Sequence, residues 1–219
     1  MKMSSINSTI IKRVFLFLIL FFLFSASSFT QNKLNYSDSK FIYQLIVDST
    51  FDSDNETSSC QIKKIIIIDK SLKEVIQILD VEESNLFCDH LKDSILYLED
   101  ENFDNAIDIR LLAGCGAGPD CAYFHWFYNK SSKKFMRYKY LDDIVNPEFD
   151  KDKRIIFSSW RSSLTERGSS TYRYIKGVPV LIKENTVKFE DGYTISIERR
   201  LINGKMKIVS KEIEKRTDD

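Results

Sequence analysis

The sequence predicts an all-β fold of antiparallel meanders, propeller-like or sandwich-like in arrangement, behind a cleaved N-terminal signal helix. Three observations predict it. Short runs rich in β-branched and aromatic residues recur between residues 63 and 213. Turn dipeptides that favour hairpins fall between them, namely Lys176-Gly177, Asp191-Gly192 and Asn203-Gly204. No long stretch repeats its apolar residues at helical spacing.

The first thirty residues read as an export signal. Lys2, Lys12 and Arg13 form a basic start, and residues 14–24 are an unbroken apolar run of eleven. A membrane-spanning helix needs about 20. Ser25-Ala26-Ser27 and Ser28-Phe29-Thr30 each satisfy the small-x-small cleavage rule, and no cysteine follows to carry a lipid. The expected product is a periplasmic or secreted soluble protein, not a lipoprotein, with no integral membrane span after cleavage. Residues 31–59 are expected to form a partly irregular N-terminal segment, 60–210 a single all-β domain and 211–219 a charged, fraying tail.

The strand series begins with 63–69 and 74–79, a hairpin closed through Lys70-Ser71-Leu72. It continues through 108–113, 122–128, 135–140, 154–160, 170–175, 178–183, 193–201 and 205–213. One helical turn is expected around 89–96. The strand aromatics Trp126, Phe127, Phe157, Trp160, Tyr172 and Tyr174 are expected to pack as core or as same-face pairs rather than to stack on bases or sugars.

Cleavage removes three basic residues and no acidic one, leaving 29 basic against 32 acidic, a net charge of −3. That balance, without a basic stripe, argues against nucleic acid as a partner. Four cysteines remain, Cys60, Cys88, Cys115 and Cys121, an even number that suits two disulfides in an oxidising compartment. Three pairings are possible, of which Cys115–Cys121 with Cys60–Cys88 is preferred. The histidines, His90 and His125, sit in no zinc-ligand spacing.

The segment with chemical potential is DENFDNAID, residues 100–108. Asp100, Asn102, Asp104 and Asp108 fall at positions 1, 3, 5 and 9 of a calcium loop, with the Ala106 carbonyl at position 7. A hard cation needs several oxygens at once, which alternate side chains of a tight loop supply. Asn105 stands at position 6, where the loop prefers glycine, and Leu111 stands where an EF-hand has its closing Glu. An ordinary EF-hand is therefore excluded, which leaves a related loop whose last carboxylate opens a strand. The competing reading is an Asx-rich turn that caps its own backbone.

These residues resemble a family. The stretch DENFDNAIDI (100–109), the Gly-rich cysteine loop after it, FHWFYNKSSKKF (124–135), NPEFDKDKRII (146–156) and TYRYIKGVPVLI (171–182) occur in the order found in a bacterial periplasmic group. That group resembles lysozyme inhibitors and immunity proteins against peptidoglycan-hydrolase effectors of type IV secretion, and it carries a calcium loop like those of VCBS and FG-GAP repeats. The resemblance implies a propeller-like all-β fold, calcium at the 100–108 loop and a peptidoglycan hydrolase or other envelope protein as partner. The exposed partner-binding candidate is the loop of Gly114, Gly116, Gly118, Pro119 and Asp120, disulfide-closed and expected beside the metal loop. Two other functions compete with inhibition: a structural or adhesion-type envelope module in which calcium only rigidifies a loop, and a glycan hydrolase. The hydrolase is least expected, because neither histidine neighbours a nucleophile motif, and no catalytic residue is assigned.

Overall fold

The computed structural model describes residues 32–52, 57–82, 84, 86–88, 91, 95–116 and 118–216. The export signal, its cleavage sites, His90 and most of the helical turn expected around 89–96 lie outside the described residues. Among the described residues, no helix is long and apolar enough to cross a membrane.

Three antiparallel sheets follow one another along the chain, each running strand to neighbouring strand. The first contains β1 (Asn32–Ser37), β2 (Phe41–Asp52), β3 (Thr57–Asp69) and β4 (Glu74–Asp80), with β5 (Leu86–Phe87) pairing the start of β3. The second is β6 (Leu96–Glu99), β7 (Asp108–Cys115), β8 (Cys121–Asn129) and β9 (Lys134–Arg137). A 3-10 turn at Lys139–Leu141 leads to the third: β10 (Pro147–Asp150), β11 (Ile155–Arg161), β12 (Glu166–Ile175), β13 (Val178–Glu190), β14 (Tyr193–Ile202) and β15 (Lys205–Lys215). None closes on itself, so the meanders are sandwich-like. The three predicted turns have both central residues left-handed, with φ of 53° and 78° at Lys176-Gly177, 50° and 78° at Asp191-Gly192, and 52° and 75° at Asn203-Gly204. That is the geometry whose twist matches paired strands.

The second sheet stands between two cores. One face sends Leu96, Ile109, Leu111, Trp126 and Phe135 against Tyr43, Leu45, Ile62, Ile65 and Ile67 of the first sheet. The opposite face carries Phe127, which packs with Phe103, Leu141, Ile144 and Ile156 and with Phe149, Tyr172 and Tyr174 of the third sheet. Strand pleating explains the division, since neighbouring residues such as Trp126 and Phe127 point to opposite faces.

Several expectations need correction. Residues 31–59, expected to be partly irregular, are mostly strand among the described residues: β1, β2 and the start of β3 lie within them. Phe41, Tyr43, Leu45 and Val47 are all buried, a period-2 pattern that is a strand signal in its own right. The register shifts between Ile46 and Val47, so both neighbours reach the interior. The charged tail is also paired further than expected. β15 runs to Lys215, opposite Tyr193, and Arg216 N–H donates to the Gly192 carbonyl at 2.8 Å. Backbone pairing holds this strand although nearly all its side chains are exposed. β6 and β10 were also missed, β13 extends seven residues past position 183, and the strand expected to reach residue 140 gives way after Arg137 to the 3-10 turn. Of the named aromatics, Phe157 is exposed and not core.

Candidate functional site

The 100–107 loop joins β6 to β7, whose ends Glu99 and Asp108 are directly paired. Its carboxylates fold it. Asp100 accepts from the backbone N–H of Asp104 and of Asn105, both at 2.9 Å, and Asp104 Oδ1 accepts from Ala106 N–H at 2.7 Å. Asp108 is buried, and its two oxygens accept from Glu101 N–H at 3.1 Å and Tyr128 N–H at 2.8 Å. Asn105 has φ of 64°, the left-handed conformation a calcium loop asks of its sixth residue and one that Asn tolerates. Phe103 is left-handed too, at 63°, and its ring anchors the loop in the second core against Tyr174 and Phe149, with centroids at 5.9 and 6.4 Å.

The donor set fits a hard cation in part. Each carboxylate oxygen that accepts a backbone N–H retains a second lone pair. Asn102 Oδ1 is buried without a hydrogen-bond partner, an orphaned acceptor at position 3 of the loop. Against this, no three Asp, Glu, His or Cys side chains converge as a metal-holding group among the described residues. Two ammonium groups approach the same oxygens: Lys151 Nζ lies 3.6 Å from Asp100 Oδ2, and Lys130 Nζ 3.4 Å from Asp104 Oδ1. Burial pushes the Asp108 carboxyl up to about 7, partly opposed by the hydrogen bond from Tyr128 N–H.

Behind the loop lies a buried polar cluster that sequence reasoning missed. Glu101 and His125 are both fully buried, with Glu101 Oε2 at 2.7 Å from His125 Nδ1. Arg110 Nε stands 3.7 Å from Glu101 Oε1, and its Nη2 pairs with Glu99 at 2.6 Å. The guanidinium is flanked by the rings of Tyr97, Tyr123 and Phe149 at 4.6, 5.1 and 5.3 Å. Burial pushes Glu101 up to about 8 against the pull of Arg110, and pushes His125 down to about 3. Both shifts favour neutral forms. Register supplies the convergence, since Tyr97, Arg110 and His125 are cross-strand partners on adjacent strands. Nothing local marks Glu101 in a loop full of acids.

Both preferred disulfides form, Cys60–Cys88 and Cys115–Cys121. The bridged loop is not beside the metal loop. The two occupy opposite ends of β7, eight residues long, so roughly 23 Å of strand separates them. Gly114 lies within β7, Gly116 N–H donates to the Asp120 carbonyl at 2.9 Å, and Gly116, Gly118 and Pro119 are exposed. Asp120 is engaged: its Oδ2 accepts from Arg161 N–H at 2.9 Å and its Oδ1 from Asn146 Nδ2 at 3.3 Å. Asn146 in turn accepts from Cys121 N–H and donates to the Ser159 carbonyl, both at 3.0 Å. These side chains take over the edge of β11 where β10 stops.

Fold and site together define a disulfide-bearing protein of three β meanders with an Asx-rich loop at the joint between two cores. No family model matches the chain, and no curated protein matches it in sequence. Among solved structures it is similar to a Xanthomonas type IV secretion system related protein, at 20% identity and a TM-score of 0.54. The similarity covers 83% of this chain and 94% of that one, and it shows a shared fold.

Proposed function

We propose that this chain is an exported binding protein that inhibits a peptidoglycan hydrolase, and that its 100–108 loop takes calcium. The observation that carries the reading is the match of nearly the whole fold to a protein described as related to type IV secretion. Two disulfides suit an extracytoplasmic setting. Asp100, Asn102, Asp104, the Ala106 carbonyl and Asp108 would hold the cation, which supplies charge neutralisation and rigidity and no chemistry of its own. Asn102 Oδ1, buried and unpaired, is the group with most to gain from it.

The test of inhibition is titration of mature protein against lysozyme-type hydrolases and any hydrolase encoded beside its gene. Near-stoichiometric loss of glycan cleavage is expected; full activity across that panel at tenfold excess overturns the reading. For the metal, calcium raises the melting temperature of the wild type and leaves Asp104→Ala unmoved, because a ligand that binds only the folded state stabilises it. An unmoved wild type makes the loop a turn held by its own backbone bonds.

One observation favours the structural-module reading. Phe103 and Asp108 tie the loop into the interior, so a cation there would stiffen the joint without touching a partner. Calcium-dependent stability without any inhibition is the outcome that selects it.

A further inference from the structure

A cleft of about 590 Å³ opens where the bridged loop meets the third sheet, at the other end of β7 from the 100–108 loop. Pro119 and Asp120 form one wall and the ends of β11, β12 and β13 the floor. Register fixes which side chains share that floor. Ser159 is opposite Ser169, which is opposite Asn185; one row on, Arg161 is opposite Arg167, which is opposite Val187.

Two arginines directly across a strand pair repel one another. Among the described residues no carboxylate forms an ion pair with either guanidinium. Arg161 Nε donates to the Ser163 carbonyl at 3.0 Å, which leaves its two terminal nitrogens as donors. Arg167 lies over the Phe189 ring at 5.4 Å, and Arg216 lies over the same ring at the same distance. Asp120, the one acid lining the cleft, is held at the wall by Arg161 N–H and the Asn146 amide; it stays an anion there, so the two arginines leave the lining at a net charge of +1. Beside the arginines stand the hydroxyls of Ser159 and Ser169 and the amide of Asn185, which donates to Ser169 Oγ at 3.3 Å.

We propose that this cleft binds an acidic sugar, with its carboxylate or phosphate held between Arg161 and Arg167 and its hydroxyls against Ser159, Ser169 and Asn185. Paired guanidinium groups suit an oxyanion because each offers two parallel donors in a planar fork. A volume of this order suits a small molecule rather than a bare anion, so the charge is carried on a larger polar body. Val187 and Pro119 provide the apolar contact for that body. The site is independent of the proposed inhibition.

The experiment is calorimetric titration of the mature protein with glucuronate, glucose 6-phosphate, glucose and inorganic phosphate at fixed ionic strength. At least one acidic sugar binds, glucose does not, and Arg161→Gln/Arg167→Gln weakens binding tenfold or more while exposed Arg173→Gln does not. The stronger of the two acidic sugars identifies the anion. Absence of binding by both, binding retained in the double variant, or inorganic phosphate matching glucose 6-phosphate overturns the proposal. A readout without ligand guards against misfolding of the double variant. At low salt Arg167→Gln melts higher than the wild type, and the gain shrinks as salt is added; a lower melting temperature refutes the unneutralised pair.

Discussion

At Glu101, whose Oε2 lies 2.7 Å from His125 Nδ1, full burial outweighs the pull of Arg110 and makes an ordinary loop acid a group that holds its proton at neutral pH. The folded-state value is raised from 4.5 to about 8, so the stability it confers is present below the unfolded value and is lost as pH rises through about 8. His125 is lowered to about 3, and its opposing contribution is complete above pH 6.5. Between about pH 6.5 and 8, calcium-free wild type should therefore lose stability with a slope approaching about 1.4 kcal/mol per pH unit for this group. Glu101→Gln, which keeps a neutral hydrogen-bonding side chain, should show a shallower slope in denaturant titrations. Asp108 is raised to about 7 mainly by burial and in part by the Glu101 charge, so removing that charge eases Asp108 as well, and the change in slope reads the two coupled carboxyls together. Equal slopes would mean that the carboxyl ionises without penalty. The sequence put Asp100, Asn102, Asp104 and Asp108 at calcium-loop spacing, and the first three lie in one folded loop while Asp108 opens β7. It was silent on Glu101, because the partners that burial gives it come from β7 and β8.

Two devices matter at the scale of single strands. Gly168 in β12 faces Trp160 across the β11–β12 pair, and a Cβ there would stand 2.5 Å from the indole and press on the Asn185 carbonyl. Gly168→Ala should cost about 2 kcal/mol, the range of overpacking, and shift Trp160 fluorescence. An unchanged urea midpoint would show that the indole moves aside freely. The hairpin turns were fully legible, since a left-handed pair of residues is a local requirement that Lys-Gly, Asp-Gly and Asn-Gly meet by themselves. Strand ends were less so. β13 and β15 run on through polar residues because a neighbouring strand, and not local hydrophobicity, holds them.

For the whole molecule, the joint between the second and third sheets depends on Asn146. It is left-handed at φ 45° and bonds Cys121 N–H with Oδ1 and the Ser159 carbonyl with Nδ2. Asn146→Ala leaves those groups unpaired and strains the backbone, and should cost about 2 kcal/mol. Faster hydrogen exchange at Cys121 and Arg161 amides is the expected signature; unchanged protection would place the joint elsewhere. The same joint shapes the Arg161–Arg167 cleft, so Asn146→Ala also perturbs that site.

By itself the sequence determined the β class, the turns and the loop spacing of Asp100, Asn102, Asp104 and Asp108, and it preferred one of three cysteine pairings. Each depends on spacing or on the preferences of neighbouring residues, and these are local. Only the tertiary structure decided that β1 and β2 complete the first sheet, that the metal loop and the bridged loop sit at opposite ends of β7, and that Glu101 meets His125 and Arg161 faces Arg167. Those depend on which strands pair and in what register, where one residue of slip moves every side chain to the other face; a local pattern such as that of residues 41–47 marks a strand but does not name its partner.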